Sequence, residues 1–445
     1  MIVTIKNRKI LLLLVLTCFF LSLICPNIVN SKILENSSSL NRFFYSYQNH
    51  NNDFSNNVEP VNYLCASSHY DYGLKVGKRF RLQFKLLDIF SCKIKNNQFD
   101  KTDIKNHINV IQEHYPFYFE ELRGLSDSLG LKIERILSIS NFLSKFIESS
   151  CTTTLSTGIA TKNNETFVTQ NLDNGVSGNL INKIADIIIL ILFRLSSYKL
   201  FVVKINTLRY RYAFFGIPII REYPVINEMG LGFGMNGIKF TDNESRTKDT
   251  GPGLVSFQIA RLASMTCKNV TEVASLFKSI ERCSDEDGCD SFAWCDKDGK
   301  ILMIEYTHNY IINVYGNSTN ITNSSKNILW HTNHHLWLDS NLTGSVFPEE
   351  YPSSSLRASR AREMLEESYG NITLDTCKKI TRDHKDGFNQ NKKDSGDICR
   401  HLDKNDGHVT SFSFIVQPKK MTVYWTHRSP CRSLYWKYNL SKIFE

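Results

Sequence analysis

The sequence predicts an α+β fold in which helices come first and a mostly antiparallel sheet, layered with further helices, follows. Three observations carry this. Apolar residues recur at helical spacing between residues 101 and 141. From Cys151 onward the segments are short, β-branched and bounded by turns. Helical patterns then return between Leu254 and Ile280 and again from Ser355 to Glu367.

The elements follow in order. Lys6, Arg8 and Lys9 precede an apolar run from Ile10 to Cys25, and Val29 and Ser31 are small residues at cleavage spacing. Residues 1–31 therefore read as a secretory signal cut after Ser31. The run is shorter than the ~20 residues of a spanning helix, so no stable membrane span is expected after signal removal. An uncleaved anchor is the alternative. A lipoprotein signal is disfavoured, because Ile24 is too bulky before Cys25. Residues 32–60, rich in Asn and Ser, predict a flexible lead-in. In the helical segment that follows, 61–150, Ile104, Ile108 and Ile111 mark one apolar face, and Pro116 interrupts it. Tyr118, Leu122, Leu125 and Leu129 mark a second face, Gly130 supplies a C-cap, and Lys132 to Asn141 resumes as a third helix.

At Cys151 the character changes to a Thr-rich strand, a turn at Lys162–Glu165 and a strand over Thr166–Asn171. Ile187–Phe193 and Phe201–Ile205 read as buried strands. Two helices are expected between Leu254 and Ile280. Asp298-Gly299 predicts a hairpin joining Ser291–Cys295 to Ile301–Tyr306, and final strands are expected at Thr410–Gln417 and Met421–Trp425.

Composition narrows the class. With 42% hydrophobic and 12% aromatic residues, the chain can bury a core, which argues against disorder over most of its length. Removing the signal takes the formal charge from +9 to +6, spread along the chain, so neither nucleic acid nor a membrane surface is an expected partner. Asn-X-Ser/Thr sequons from Asn36 to Asn439, densest between Asn317 and Asn323, fit a glycosylated chain that is secreted or sent to a lysosome-like compartment. Ten cysteines from Cys65 to Cys431 follow the signal, and an oxidising compartment lets them pair. With Cys151 held out as a reactive thiol, the rest are odd in number, so at least one other stays free. Connectivity cannot be read from sequence.

Two motifs fail on context. Gly232, Gly234 and Gly237 have dinucleotide-loop spacing, but Ile238-Lys239-Phe240-Thr241 follows as strand rather than helix. His331, His334 and His335 lack the glutamate of a zinc-protease helix, so a structural or hydrogen-bonding role is expected. No cofactor and no metal are expected. The stronger signal is Cys151, which opens a strand directly after a helical segment, with Gln170-Asn171-Leu172-Asp173 one hairpin later. A cysteine freed at a chain terminus carries its own base, an α-amine of pKa ~8. Asp173 can orient it. The amides of Asn236 and Asn333 can donate to a tetrahedral oxyanion, on the order of 3 kcal/mol per donor.

From about Tyr70 to Cys431 the chain resembles the acyl-coenzyme A:6-aminopenicillanic acid acyltransferase-like family of the N-terminal-nucleophile (Ntn) hydrolase superfamily. The markers come in family order: Tyr72-Gly73 with Gly77, Glu120 to Leu125, Cys151-Thr152-Thr153, Gln170 to Asp173, and Asn227 to Leu231 running to Asn236. Then come His331 to His334, the Arg357/Arg360 helix, Ile398-Cys399-Arg400 and Pro430-Cys431. The resemblance implies a four-layer αββα sandwich and a precursor cut between Ser150 and Cys151 by an N-to-S acyl shift. It implies a helical α chain ending at Ser150 and a β chain over 151–445 that stay associated. It also implies roles: Cys151 as nucleophile and base, Asp173 as positioning carboxylate, and Asn333 as oxyanion donor. Asn236 matches an oxyanion position of the related cholylglycine hydrolases.

Two departures stand out. Ser150 replaces the family's usual glycine before the nucleophile, and a family arginine is replaced around Gly407-His408, for which His408 and Arg400 are the candidate substitutes. The expectation is a secreted Ntn amidase that cleaves a small-molecule N-acyl amide through a thioester. The alternatives are an acyltransferase using a CoA thioester or an amide, and an inactive secreted binding protein of the same fold.

Overall fold

The computed structural model describes residues 61–93, 101–146, 149–175, 200–285, 288–316, 327–385, 396–401, 408–426 and 428–445. The signal, the lead-in and the strand expected at Ile187–Phe193 lie outside them. In chain order the elements begin with β1 (Asn62–Ala66), α1 (His69–Arg79), α2 (Arg81–Lys93), α3 (Lys101–His114), α4 (Pro116–Leu129) and α5 (Ile133–Phe146). They continue with β2 (Ser149–Ser156), β3 (Phe167–Gly175), β4 (Phe201–Ile205), β5 (Tyr212–Ile217), β6 (Arg221–Asn227) and β7 (Gly232–Lys239). Next are α6 (Ser256–Thr266), α7 (Val270–Ser279), β8 (Gly288–Cys295), β9 (Ile301–Tyr306), β10 (Ile311–Tyr315) and β11 (Ile328–His331). Last come α8 (Pro352–Glu367), α9 (Leu374–Thr381), β12 (His408–Gln417), β13 (Thr422–Thr426), β14 (Trp436–Asn439) and α10 (Leu440–Phe444).

Local chemistry sets many of these boundaries. Pro116 occupies the first turn of α4, where its missing N–H is no loss. Gly130 ends that helix at φ 69°. The Ser68 hydroxyl caps α1 by accepting from Asp71 N. Asp298-Gly299 sits in the loop joining β8 to β9, which pair antiparallel with Cys295 opposite Ile301.

The strands form two sheets, ordered β1-β4-β5-β6-β7-β8-β9-β10 and β11-β2-β3-β12-β13-β14. Strands β2 and β3 lie against β7 and β8, so the sheets face each other. Aromatic pairs fill the gap, with Phe215 of β5 stacked on Trp425 of β13 at 3.7 Å between centroids. Helices α6 and α7 cover the outer face of the larger sheet, and α8 and α9 that of the smaller. Beneath α8, Ala358, Ala361 and Leu365 share a buried apolar cluster with Phe167, Trp330 and Ile415. The architecture is four layers, αββα. No helix among the described residues is long and apolar enough to cross a membrane.

The N-terminal segment is more than helical, because β1 joins the larger sheet by parallel pairing with β4. Helices α1 and α4 cross in close contact. A Cβ on Gly73 would lie 2.1 Å from Glu121 O, and one on Gly124 would lie 2.1 Å from Tyr70 O. That approach aims Glu121 at Arg261 of α6, 2.5 Å away, and Arg261 also pairs with Glu222 of β6 at 2.8 Å. His69 and the Tyr72 and Tyr212 hydroxyls bond to the same two carboxylates. Two of the sequence markers, Tyr72-Gly73 and Glu121, thus belong to a buried anchor between helices and sheet.

Candidate active site

Strand register assembles the site. Ser150 of β2 lies opposite Asp173 of β3, and Asp173 lies opposite Thr410 of β12. Side chains of paired residues share a face, so these three form one row. The Thr410 hydroxyl donates to Asp173 Oδ1 at 2.6 Å. Alternation then turns Cys151 and Thr153 to the other face, toward the larger sheet. Thr153 Oγ1 accordingly lies 2.8 Å from the side-chain oxygens of both Gln170 and Asn236 of β7.

The Ser150–Cys151 peptide is buried and held at both ends. Cys151 N donates to Asn333 Oδ1 at 3.0 Å. Arg357, on the inner face of α8, donates through Nη1 to Cys151 O at 2.6 Å and through Nη2 to Ser150 Oγ at 2.8 Å. Arg400 Nη1 reaches the same hydroxyl at 2.8 Å and lies 4.0 Å from Asp173 Oδ2. Tyr351 donates to Ser150 Oγ at 3.3 Å, and Ser150 itself donates to Asn333 Oδ1 at 3.1 Å. The added hydroxyl of Ser150 is therefore the meeting point of two guanidinium groups. Of the two candidate substitutes for the family arginine, Arg400 makes this contact. Burial and the Arg400 charge hold the His408 imidazole down at about 4, hence neutral at physiological pH.

Burial, aided by the Asp173 carboxylate and opposed by Arg357, pushes the Cys151 thiol up to about 12. In the uncut chain the sulfur is thus protonated at neutral pH. Beyond it, Arg221 and Tyr223 of β6 and Asp290 of β8 couple electrostatically to the thiol.

The expected site residues are brought together unequally. Cys151, Asp173 and Asn333 converge on one peptide. Asn236 is a step removed, its Oδ1 facing Thr153 and its Nδ2 facing Ser291 Oγ at 3.4 Å. Asn333 directs its oxygen at Cys151 N and its Nδ2 at Gly237 O, 2.8 Å away. Arg357, a marker of the resemblance, and Thr410, the start of an expected strand, carried no expected site role, and Tyr351 carried no signal. One signal was legible for Arg357, which shares the helical face of Ala361 and Leu365, where a charge needs a partner.

The histidine cluster is hydrogen-bonded. His331 Nε2 is 2.8 Å and His335 Nδ1 3.3 Å from Glu305, whose oxygens also accept from the backbone of Leu336, Trp337 and Leu338. His331 contacts Ser291, which links this network to Asn236. Gly232, Gly234 and Gly237 lie within β7, a strand, as their rejection as a dinucleotide loop requires. Among the described cysteine side chains (Cys65, Cys151, Cys267, Cys283, Cys289, Cys295, Cys377, Cys399 and Cys431) no expected disulfide is formed, and all are free thiols.

Two facing sheets between helical layers, with a buried cysteine at the first residues of an inner strand, define an Ntn-hydrolase arrangement. Residues 195–431, just over half of the chain, match the family model of acyl-coenzyme A:6-aminopenicillanic acid acyl-transferase. The chain belongs to this family, and so to the enzymes that hydrolyse or transfer acyl groups at amide bonds. Among solved structures it is similar to a variant of conjugated bile acid hydrolase from Clostridium perfringens, at 13% identity and a TM-score of 0.36, over 66% of this chain and 93% of that one. It is also similar to penicillin V acylase from Agrobacterium tumefaciens, at 10% identity and a TM-score of 0.34, over 62% and 83%. No curated protein matches the sequence significantly.

Proposed function

We propose that the chain is a secreted, self-processing cysteine amidase whose precursor cuts its own Ser150–Cys151 bond. The observation that carries this is the hold on both sides of that bond: Asn333 takes the Cys151 N–H, while Arg357 grips the flanking groups, Cys151 O after the bond and Ser150 Oγ before it. In the first step Cys151 Sγ attacks the Ser150 carbonyl carbon. A C–S bond forms, the C–N bond breaks, and the thiol proton moves to the departing nitrogen. Water then hydrolyses the thioester, leaving Ser150 with a carboxylate and Cys151 with a free α-amine. That amine, with an ordinary pKa of ~8, serves as base for the next substrate.

In turnover Cys151 attacks an N-acyl amide, the amine leaves, and water releases the acyl group. Asp173 positions the α-amine, and Asn333 and Asn236 turn their amides to the oxyanion once Ser150 has withdrawn. The two chains stay together, held by the Glu121–Arg261–Glu222 anchor and the β1–β4 pairing. The family's transferase name favours a second reading, transfer of the acyl group to an amine; a competing amine added to the assay separates the two products.

The test is the intact mass and N-terminal sequence of the purified protein, reduced and deglycosylated, beside Cys151→Ala. Two chains in the wild type, one beginning Cys-Thr-Thr-Thr, and a single chain in the variant are expected. A wild-type protein that stays whole under folding conditions sinks the self-cleavage mechanism.

A further inference from the structure

Arg400 is flanked by two residues that the acyl chemistry does not use. Cys399 and His401 meet His384, just beyond α9, and Cys431, on the turn Pro430–Arg432. One side-chain donor atom from each of these four residues lies within 4.8 Å of all the others. Cys431 Sγ is 3.3 Å from His401 Nε2 and also bonds to Cys399 and His384. The His384 and His401 rings stack at 4.9 Å between centroids.

Zinc bound at about 2.3 Å to sulfur and about 2.0 Å to nitrogen has tetrahedral ligand–ligand edges of roughly 3.3–3.8 Å. The Cys431–His401 pair is already at that length, and the widest pair must close by about 1 Å. Two thiols and two imidazoles are a donor set that zinc takes and that magnesium and calcium do not. Four protein ligands leave no open coordination position, which marks a structural rather than a catalytic site. Asp397 Oδ2 lies 4.0 Å from His384 Nδ1, beyond hydrogen-bond length but near enough to become the outer partner of that imidazole when it ligates.

We propose that His384, Cys399, His401 and Cys431 bind one Zn²⁺ ion, and that this ion holds Arg400 against Ser150. Binding releases two protons as both thiols become thiolates. It ties together three segments distant in sequence. The middle one carries Arg400, whose backbone N–H donates to Thr410 Oγ1 at 2.8 Å and whose guanidinium reaches Ser150. The site stands whether or not the chain cuts itself.

The experiment is metal analysis of the untagged full-length protein, purified without chelator. About one zinc per chain is expected, falling to background in Cys399→Ser and in His401→Ala. Should those variants fail to fold, cobalt exchanged into the wild type decides: sulfur-to-cobalt charge-transfer bands and intense tetrahedral d–d bands support the site, and their absence overturns it. Chelation should speed amide hydrogen exchange across residues 396–401 and leave α1 and α4 unchanged; unchanged exchange at 396–401 overturns the hold on Arg400. Zinc at background in the wild type, or a Cys399–Cys431 disulfide found by peptide mapping without reductant, refutes the proposal.

Discussion

Two buried polar clusters in this molecule are built on opposite electrostatic plans. At the anchor, one guanidinium lies between two carboxylates, Arg261 between Glu121 and Glu222, and the other carboxylate lone pairs are taken by His69, two tyrosines and the Ile219 N–H. At the Ser150–Cys151 peptide, two guanidinium groups converge on a neutral hydroxyl, and the Asp173 carboxylate stays 4.0 Å from Arg400. The anchor pairs its two carboxylates with a shared cation and ties helices to sheet. The site keeps two guanidinium groups against one carboxylate, directed at the Ser150 hydroxyl and at Cys151 O, the carbonyl that follows the Ser150–Cys151 bond. Buried charge therefore joins secondary-structure elements in one place and fixes the residues of the candidate site in the other.

The largest expected effect tests the anchor. Arg261→Met leaves Glu121 and Glu222 buried without their cation and should destabilise the fold by about 3–5 kcal/mol. Chemical denaturation measures this, and an unchanged midpoint would remove the anchor from the comparison. The part of the variant that still folds should process normally.

Next comes Arg357→Met. Its partners are neutral, so stability should fall by only about 1–2 kcal/mol. Chain scission should slow by about 10²-fold, because Arg357 fixes Ser150, Cys151 O and Asn333 around the bond and small misplacements there are costly. Timed electrophoresis of fresh precursor, set beside a melt, reads both numbers. Equal losses of free energy in the two would erase the distinction between the two clusters.

The last effect appears only at alkaline pH and concerns Asp290, the carboxylate behind the thiol. Burial pushes it from 3.8 to about 7, while Ser256 and Arg221 pull the other way. Because the folded state holds this proton more tightly, the stability it contributes is full below about pH 4 and is lost as pH rises through about 7. Asp290→Asn, which cannot ionise, should therefore melt higher than wild type at pH 8 and alike at pH 4. A constant difference across that range would exclude titration of Asp290 as the cause.

Much of the fold was legible because its signals are local. Pro116 and Gly130 delimit α4, Asp298-Gly299 sets a hairpin, and the apolar period marks α3 and α4. Helix α1 and the β1–β4 pair were not legible. Helix α1 contains Gly73 and Gly77, poor helix formers, and rests on α4; β1 finds its partner well over a hundred residues later. In the site, Cys151, Asp173 and Asn333 were named from chemistry and family resemblance, whereas the clamping role of Arg357 depends on which face of α8 meets β2.

By itself, then, the sequence determined the order and type of most elements, the change of character at Cys151, and the residue types able to do acyl chemistry. Those are properties of short windows, where turn residues and hydrophobic period act directly on the backbone. Only the tertiary structure decided that Ser150, Asp173 and Thr410 form one row, that Cys151 faces the other way, and that Arg357 and Arg400 converge from two separate segments. Register and layer stacking join residues up to 260 apart in the chain, from Ser150 to Thr410. No local pattern encodes that pairing; it is chosen by the burial of both sheets against each other.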